Sequence, residues 1–443
     1  MARSYEDFLK QKVNFDRTFG FTVPDDEINP ILKPHQRAIV AWAVQGGRRA
    51  IFAAFGLGKS VMQLETLRLI LGQVGGAGLI ICPLGVRQEF TRDAAMLGLT
   101  VSFIRTAGEM HGPGLYLTNY ESVRDGKLDP TLFDAVSLDE ASVLRSFGSK
   151  TYQTFLTLFD TVKYRFVATA TPSPNRYKEL IHYAGFLGVM DTGQVLTRFF
   201  QRDSTQANNL TLYPHKEREF WLWLNTWAVF LQKPSDLGYD DTGYDLPDIE
   251  VAYHEVAVDH STAGADRDGQ AHLFRGAALG VSDAAREKRD TLPARVAVAA
   301  EIVAASPADH FILWHDLEDE RRAIKQAMPE AVEVYGSLDL DMREQRIVDF
   351  SDGKIRLLAT KPELSGSGCN FQRHCHRAIF VGVGFKFNDF IQAIHRIHRF
   401  LQTERVRIDI IHAESEREIV ATLRRKWAQH KELTANMTDV IRE

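Results

Sequence analysis

Short apolar runs recur along the chain, each closed by a polar residue, a glycine or a proline. Arg49-Ala50-Ile51-Phe52, Gly78-Leu79-Ile80-Ile81-Cys82, Leu115-Tyr116-Leu117-Thr118, Ala135-Val136-Ser137-Leu138 and Arg165-Phe166-Val167-Ala168 fill the first half. Runs of this length without alternation read as strands buried on both faces. Between them lie stretches of helical spacing, such as Val61 to Leu71 with Leu64, Leu67 and Leu71, and Thr151 to Leu158. Strands alternating with helices predict a parallel sheet whose ligand site lies at the carboxyl ends of the strands. The second half repeats the pattern at residues 311–314, 331–335, 355–360, 378–381 and 407–411, and the weakly alternating stretch 249–258 could begin that second sheet.

Between the two series the pattern changes. Phe220 to Phe230, with Trp221, Trp223 and Trp227, is apolar nearly all round, so as one helix it would be buried or meet a partner. A small aromatic core is the plainer reading. Pro234 to Pro247 is rich in Gly, Asp and Tyr and reads as a loop. The expected organisation is an extension at 1–30, an α/β domain at 31–185, an inserted helical and loop region at 186–248, a second α/β domain at 249–425 and a tail at 426–443. Residues 261–292 are polar, with Arg286, Lys288 and Arg289 close together.

One turn carries chemistry. Ala53-Ala54-Phe55-Gly56-Leu57-Gly58-Lys59-Ser60 joins the first strand to the first long helix. Gly56 and Gly58 let the backbone turn its N–H groups toward anionic oxygens, and the helix N-terminus adds a favourable field. Lys59 would reach the β- and γ-phosphates of a nucleotide and the Ser60 hydroxyl would hold Mg²⁺. Ala53 stands where such turns usually begin with glycine, and the bland alternative is an ordinary glycine turn before a helix. Asp139-Glu140 ends the strand that begins at Ala135. Two carboxylates at one strand tip are costly unless a cation or a proton uses them. They read as Asp139 to Mg²⁺ and Glu140 as the base that activates water, against a solvated acidic turn. Gln36 could donate to and accept from an adenine edge, or be a surface glutamine at a helix start. In the second half, Gln392-Ala393-Ile394-His395-Arg396-Ile397-His398-Arg399 as one helix would put Gln392, Arg396 and Arg399 on one face.

Composition narrows the classes. The 443 residues are 44% hydrophobic and 25% charged with a net charge of −5, which fits two or three globular domains. A nucleic-acid ligand would need a local basic face rather than a globally basic chain. Cys82, Cys369 and Cys375 are scattered and read as reduced thiols in a cytoplasmic protein. No apolar signal core or bilayer-length stretch is evident.

Taken in order, these motifs resemble those of the superfamily-2 helicases, and within that group the Swi/Snf-type DNA translocases. Leu32-Lys33-Pro34-His35-Gln36 resembles the adenine-reading glutamine motif. Phe55-Gly56-Leu57-Gly58-Lys59-Ser60 is similar to motif I, Cys82-Pro83-Leu84 to motif Ia and Thr118-Asn119-Tyr120-Glu121 to motif Ib. Asp139-Glu140-Ala141-Ser142 resembles the DEAH box and Thr169-Ala170-Thr171-Pro172 motif III. Tyr335-Gly336-Ser337 with Arg343 and Phe350 resembles motif IV, Gly366-Ser367-Gly368-Cys369-Asn370 motif V, and Gln392 through Arg399 motif VI. The region at 186–250 resembles the insertions of small stand-alone phage helicases.

The resemblance implies two RecA-like parallel-sheet domains in tandem, with ATP and Mg²⁺ between them and DNA running across both. It implies catalytic roles for Glu140, Arg399, Arg396 and Lys59. Nucleotide contacts would come from Gln36, Phe55, Gly56, Leu57, Gly58, Lys59, Ser60, Asp139 and Gln392, with Ser60 and Asp139 toward the metal. Coupling and nucleic-acid contacts would come from Pro83, Thr118, Asn119, Thr169, Thr171, Ser337, Gly366, Gly368 and Asn370. Ser142 departs from the final His of the box, which bears on its contact with motif III, and Pro362-Glu363 lengthens motif V. An RNA helicase, a small P-loop kinase and an ATP-clamped binding module are the competing readings. The kinase leaves the arginine segment of the second sheet unexplained.

Overall fold

A computed structural model describes residues 18–145, 148–173, 177–202, 210–257, 290–365, 371–382, 384 and 387–428. The chain divides into two compact units, one running to Asp241 and one over Thr242–Ala428.

The first unit is built on a seven-stranded sheet. In chain order its strands are β1 (Arg48–Ala53), β2 (Ala77–Cys82), β3 (Val101–Phe103), β4 (Gly114–Asn119), β5 (Ala135–Asp139), β6 (Tyr164–Thr169) and, after a small antiparallel ribbon of β7 (Phe200–Arg202) and β8 (Leu210–Leu212), β9 (Ala228–Leu231). They lie in the order β3-β4-β2-β5-β6-β1-β9, and every pairing is parallel. β2, β5 and β6 are buried at every position, as expected of strands covered by helices on both faces. The helix Lys59–Val74 comes after β1 and buries Val61, Met62, Leu64, Leu67 and Ile70. The register matters for function. Phe52 pairs with Thr169 and Asp139 with Ala168, so the tips of β1, β6 and β5 stand side by side.

Of the stretch expected as an insertion, residues 186–241 belong to this unit and the rest to the second. The apolar run expected as a single helix is two elements, a helix Glu217–Asn225 and then β9. The helix ends because Thr226 and Trp227 bond back to Trp223 and Leu224 in tight turns. The next residues then pair along β1 from Ala50↔Ala228 to Ala53↔Leu231. Trp221, Trp223 and Trp227 are buried in the core that also holds Phe52, Tyr183 and Phe199. Trp223 stacks on Phe199 at 5.4 Å, and Trp227 meets Phe52 edge-on at 6.5 Å. The tryptophans therefore complete the core of the first sheet rather than a separate one.

The second unit carries a six-stranded, wholly parallel sheet: β10 (Ile249–Val256), β11 (His310–Trp314), β12 (Val332–Val334), β13 (Leu357–Thr360), β14 (Cys375–Phe380) and β15 (Val406–Ala413), ordered β10-β15-β14-β11-β13-β12. Arg295 and Glu320 form an ion pair with both side chains fully buried. It is tolerated because the remaining valences are filled. Arg295 also donates to the Val381 carbonyl and to Thr291 Oγ1, and Glu320 Oε2 accepts from the Asp316 and Leu317 N–H groups at 2.7 and 2.9 Å. The pair thereby ties the ends of β11 and β14 to the helices Leu292–Ala304 and Glu318–Ala327.

Trp223→Ala should cost about 3–5 kcal/mol, the usual loss when a fully buried large aromatic leaves a cavity. Urea unfolding of the first unit's transition is the check.

Candidate active site

β1 delivers the glycine turn. Ala53 is the last strand residue, and the N–H of Ala54 donates to the Leu231 carbonyl of β9 at 2.8 Å. Left-handed backbone begins only at Gly56 (φ 86°) and recurs at Gly58 (φ 81°). Alanine at 53 therefore costs nothing, while glycine is needed at the two later positions. Gly58 has a second reason: a Cβ there would lie 2.3 Å from Gln36 Nε2. Lys59 opens the helix and folds over the turn, donating to the Ala53 and Ala54 carbonyls at 2.9 and 3.2 Å. Its ammonium thus stands at the mouth of the cup that would receive phosphate.

Gln36 is nearly buried against this turn. Its Nε2 donates to the Leu57 carbonyl at 3.0 Å and its Oε1 accepts from the Lys33 N–H at 2.9 Å. It holds the loop, with one amide N–H left over for another partner. The Ser60 hydroxyl donates to the Asp93 carboxylate on the helix Arg87–Met96.

The two carboxylates at the tip of β5 have different surroundings. Asp139 accepts from Gln63 Nε2 at 2.8 Å, and Gln63 Oε1 in turn accepts from Ser137 Oγ at 2.7 Å. Burial, with the adjacent Glu140 charge second, pushes the Asp139 carboxyl up from 3.8 to about 7, against the Gln63 hydrogen bond and the Lys59 charge. A carboxylate in that condition favours a proton or a cation. Glu140 adopts left-handed backbone at φ 51°. Its Oε1 accepts from Ser142 Oγ at 2.8 Å and Thr169 Oγ1 at 3.1 Å, with Thr171 Oγ1 at 3.5 Å. Arg145 adds a second tie, from Nε to the Ser142 carbonyl at 2.9 Å and from Nη1 to the Thr171 carbonyl at 3.4 Å. The serine at 142 therefore does not break the link to the strand-β6 hydroxyls. Glu140 makes that link itself.

Further along the same edge of the sheet, Pro83 ends β2 and leads into the turn Leu84–Val86. Thr118 and Asn119 close β4 beside it, in register with Ile81 and Cys82. The Thr118 hydroxyl is buried without a hydrogen-bond partner, and Asn119 is occupied by Ser122 and Glu121.

In the second unit the single helix expected through Arg399 stops at Ile394. Bonds from the Arg396 N–H to the Ala393 carbonyl and from the Ile397 N–H to the Ile394 carbonyl tighten the chain into turns. Ring-to-carbonyl contacts from His395 to His398 (3.0 Å) and from His398 to Pro247 (2.8 Å) hold these turns in place. Gln392 therefore lies on the helix, while buried Arg396 and half-buried Arg399 lie on the turn beyond it. Gln402 Nε2 anchors that turn to the Ile397 and Cys375 carbonyls. Ser337 is exposed after β12. Gly366, Gly368 and Asn370 lie outside the described residues, as do Arg286, Lys288 and Arg289.

Oxygen donors from Ser60 and Asp139 suit a hard cation that takes its remaining ligands from phosphate. Among the described residues no group of three His, Cys, Asp or Glu side chains could hold a metal by itself, so the nucleotide would have to share the ion. Sequence reasoning misses Gln63, Asp93 and Arg145. Only Gln63 leaves a trace, a polar residue one helical turn after Lys59 and set between Met62 and Leu64.

Known proteins share this arrangement at the level of the fold. No protein-family model matches the chain. Protein p41 of Acyrthosiphon pisum secondary endosymbiont phage 1 is 22% identical over 416 residues, covering 82% of this chain and 88% of its own length. The SWI2/SNF2 ATPase core of Sulfolobus solfataricus, solved with dsDNA, aligns over 95% of this chain and 97% of its own at 16% identity and TM-score 0.44. S. cerevisiae Dbp5, solved with RNA and ADP BeF3, aligns over 93% and 98% at 12% identity and TM-score 0.55. The chain shares the two-domain fold of Dbp5. Its two parallel α/β sheets are the tandem RecA-like domains of that fold. Among the described residues no helix is long and apolar enough to cross a membrane.

The Asp139 environment has a sign that can be tested. Between the ordinary carboxylate value of 3.8 and about 7 the folded chain retains a proton that the unfolded chain has released. Stability therefore falls as pH rises through that window. Asp139→Asn keeps an acceptor for Gln63 without the charge. Without nucleotide it should be more stable than wild type at pH 8, with the gain shrinking toward pH 4, as read by urea unfolding at each pH.

Proposed function

We propose that this protein is an ATP-driven nucleic-acid motor, a DNA helicase or translocase that hydrolyses Mg-ATP at the β1, β5 and β6 strand tips. The observation that carries the proposal is the Glu140 carboxylate, which adjoins Asp139 and is bonded to the hydroxyls of Ser142 and of Thr169 on β6. A base for water and a sensor of the neighbouring strand are then the same group, as a coupled ATPase requires and a passive clamp does not.

In this reading Lys59 exchanges the Ala53 and Ala54 carbonyls for the β- and γ-phosphate oxygens. Phe55, Gly56, Leu57 and Gly58 present backbone around the phosphates, and Gln36 keeps its free amide N–H for the adenine. Ser60 and Asp139 would hold Mg²⁺, which when bound offsets phosphate charge. Glu140 takes the proton from the attacking water. Arg399, with Arg396 beside it and Gln392 on the preceding helix, is the proposed partner of the γ-phosphate. A guanidinium offers two donors and a permanent charge for that task. Pro83, Thr118, Asn119, Ser337 and the 366–370 segment are the proposed nucleic-acid contacts, mostly to phosphate. DNA rather than RNA rests on the Swi/Snf-like motif set. The likeness to a phage protein supports a bacterial or phage-infected cytoplasm as the setting.

The test is ATP turnover at fixed salt with single-stranded DNA, duplex DNA, RNA or no nucleic acid, on wild type and Arg399→Ala. Wild type should respond most to a DNA. Arg399→Ala should bind ATP within a few-fold of wild type yet lose the stimulated rate, by a factor on the order of 10³ where arginine fingers act. Stimulation by RNA alone would make it an RNA motor. Turnover indifferent to every nucleic acid would contradict the motor reading.

A further inference from the structure

We propose that Asp93 is the positioning residue that sets the Ser60 hydroxyl for the nucleotide-bound cation, a role that rests on the nucleotide site proposed above. The Ser60 hydroxyl donates to Asp93 Oδ2 in a close contact that spans 33 residues of sequence. Asp93 sits on the helix Arg87–Met96, which buried Phe90 and Ala94 fix against the core. Glu89, one turn earlier on that helix, acts electrostatically on Asp139, so this helix brings negative charge to the cation's side of the turn. Asp139 is bonded through Oδ1 to Gln63, while the Ser60 hydroxyl goes to Asp93.

A hydroxyl ligand sets the chemical requirement. A serine that lends a lone pair to a cation keeps its proton, and that proton requires an acceptor. A carboxylate acceptor fixes the rotation of the hydroxyl, aims its lone pairs away from the acceptor and raises the electron density on the oxygen. Outer partners of this kind are typically worth about 10–100-fold in metal affinity. Here the acceptor is mounted on a helix packed into the same domain.

The experiment measures binding rather than turnover. A fluorescent ADP analogue is titrated against the full chain in EDTA and across a Mg²⁺ series, giving the Mg²⁺ concentration at which nucleotide binding is half-tightened. Wild type, Asp93→Ala, Asp93→Asn and Lys59→Ala are compared. Asp93→Ala should bind the analogue in EDTA at least as well as wild type, because a negative charge near the phosphates is gone. Its Mg²⁺ midpoint should rise by about 10-fold or more. Asp93→Asn loses the same charge but keeps an acceptor oxygen, so its midpoint should lie well below that of the alanine variant.

Equal midpoints for the alanine and asparagine variants would reduce the effect to charge and overturn the positioning role. A midpoint unchanged or lowered in Asp93→Ala would overturn it as well, since Asp93 would then be idle or a competitor of the cation. Failure of the nucleotide site shows separately, as wild-type binding that Lys59→Ala does not weaken, and that result would remove the Asp93 role with it.

Discussion

The hydrogen bonds to the Glu140 carboxylate decide how the strand tips of the first unit are arranged. Glu140 occupies left-handed backbone at φ 51°, which costs a residue with a Cβ on the order of 1–3 kcal/mol. The bonds from Ser142 and Thr169 go to a carboxylate oxygen, and hydrogen bonds to a charged group contribute roughly 1.5–3 kcal/mol each. The two together offset the strain. The strained turn aims the carboxylate across β6 instead of out to solvent. Arg145 closes the same arc through backbone carbonyls. A shift of β6 or of the segment after it would therefore be felt at Glu140 directly.

Beside it, Asp139 is held in the opposite condition. Burial leaves its carboxyl with a value of about 7, and Gln63 is the neutral partner that keeps it in place. One carboxylate is held where a proton or a cation is favoured, and the other is tied to the neighbouring strand. Lys59, folded onto the Ala53 and Ala54 carbonyls, adds a cation that has local partners to leave. The local order of the site is thus set by hydrogen bonds within one sheet edge. The arginines of the second unit stand on a turn fixed by Gln402 and two histidines.

Much of this is legible in the sequence because parallel strands buried on both faces leave uninterrupted apolar runs. β1, β2, β4, β5 and β6, with β11, β13 and β14 in the second sheet, show as such runs, while β12 and β15 are interrupted by Glu333 and by Arg407 and Asp409. β3 does not show, being three half-exposed or exposed residues at the sheet edge. β9 escapes notice because Trp223, Trp227 and Phe230 are apolar whichever element carries them, and period cannot separate a helix from a strand when every face is buried. The arginine segment misleads in the other direction. Its spacing fits a helix, but the helix ends at Ile394, and a local His395–His398 contact and a long-range His398–Pro247 contact hold turns beyond it. The residues alone leave Gln36 between an adenine contact and a surface glutamine, and the structure buries it with its amide on the Leu57 carbonyl. The Asp93 contact with Ser60 has no sequence signal at all, because it joins two helices across 33 residues.

Glu140 as the water-activating base is the claim on which the functional reading turns. The most direct measurement is single-turnover ATP hydrolysis by Glu140→Gln, with ATP affinity determined on the same preparation. The amide keeps an oxygen for Ser142 and Thr169 but cannot accept the proton from water. The account predicts affinity near wild type and hydrolysis slowed by about 10²–10⁴-fold, the usual contribution of a positioned base. Hydrolysis at the wild-type rate would contradict it.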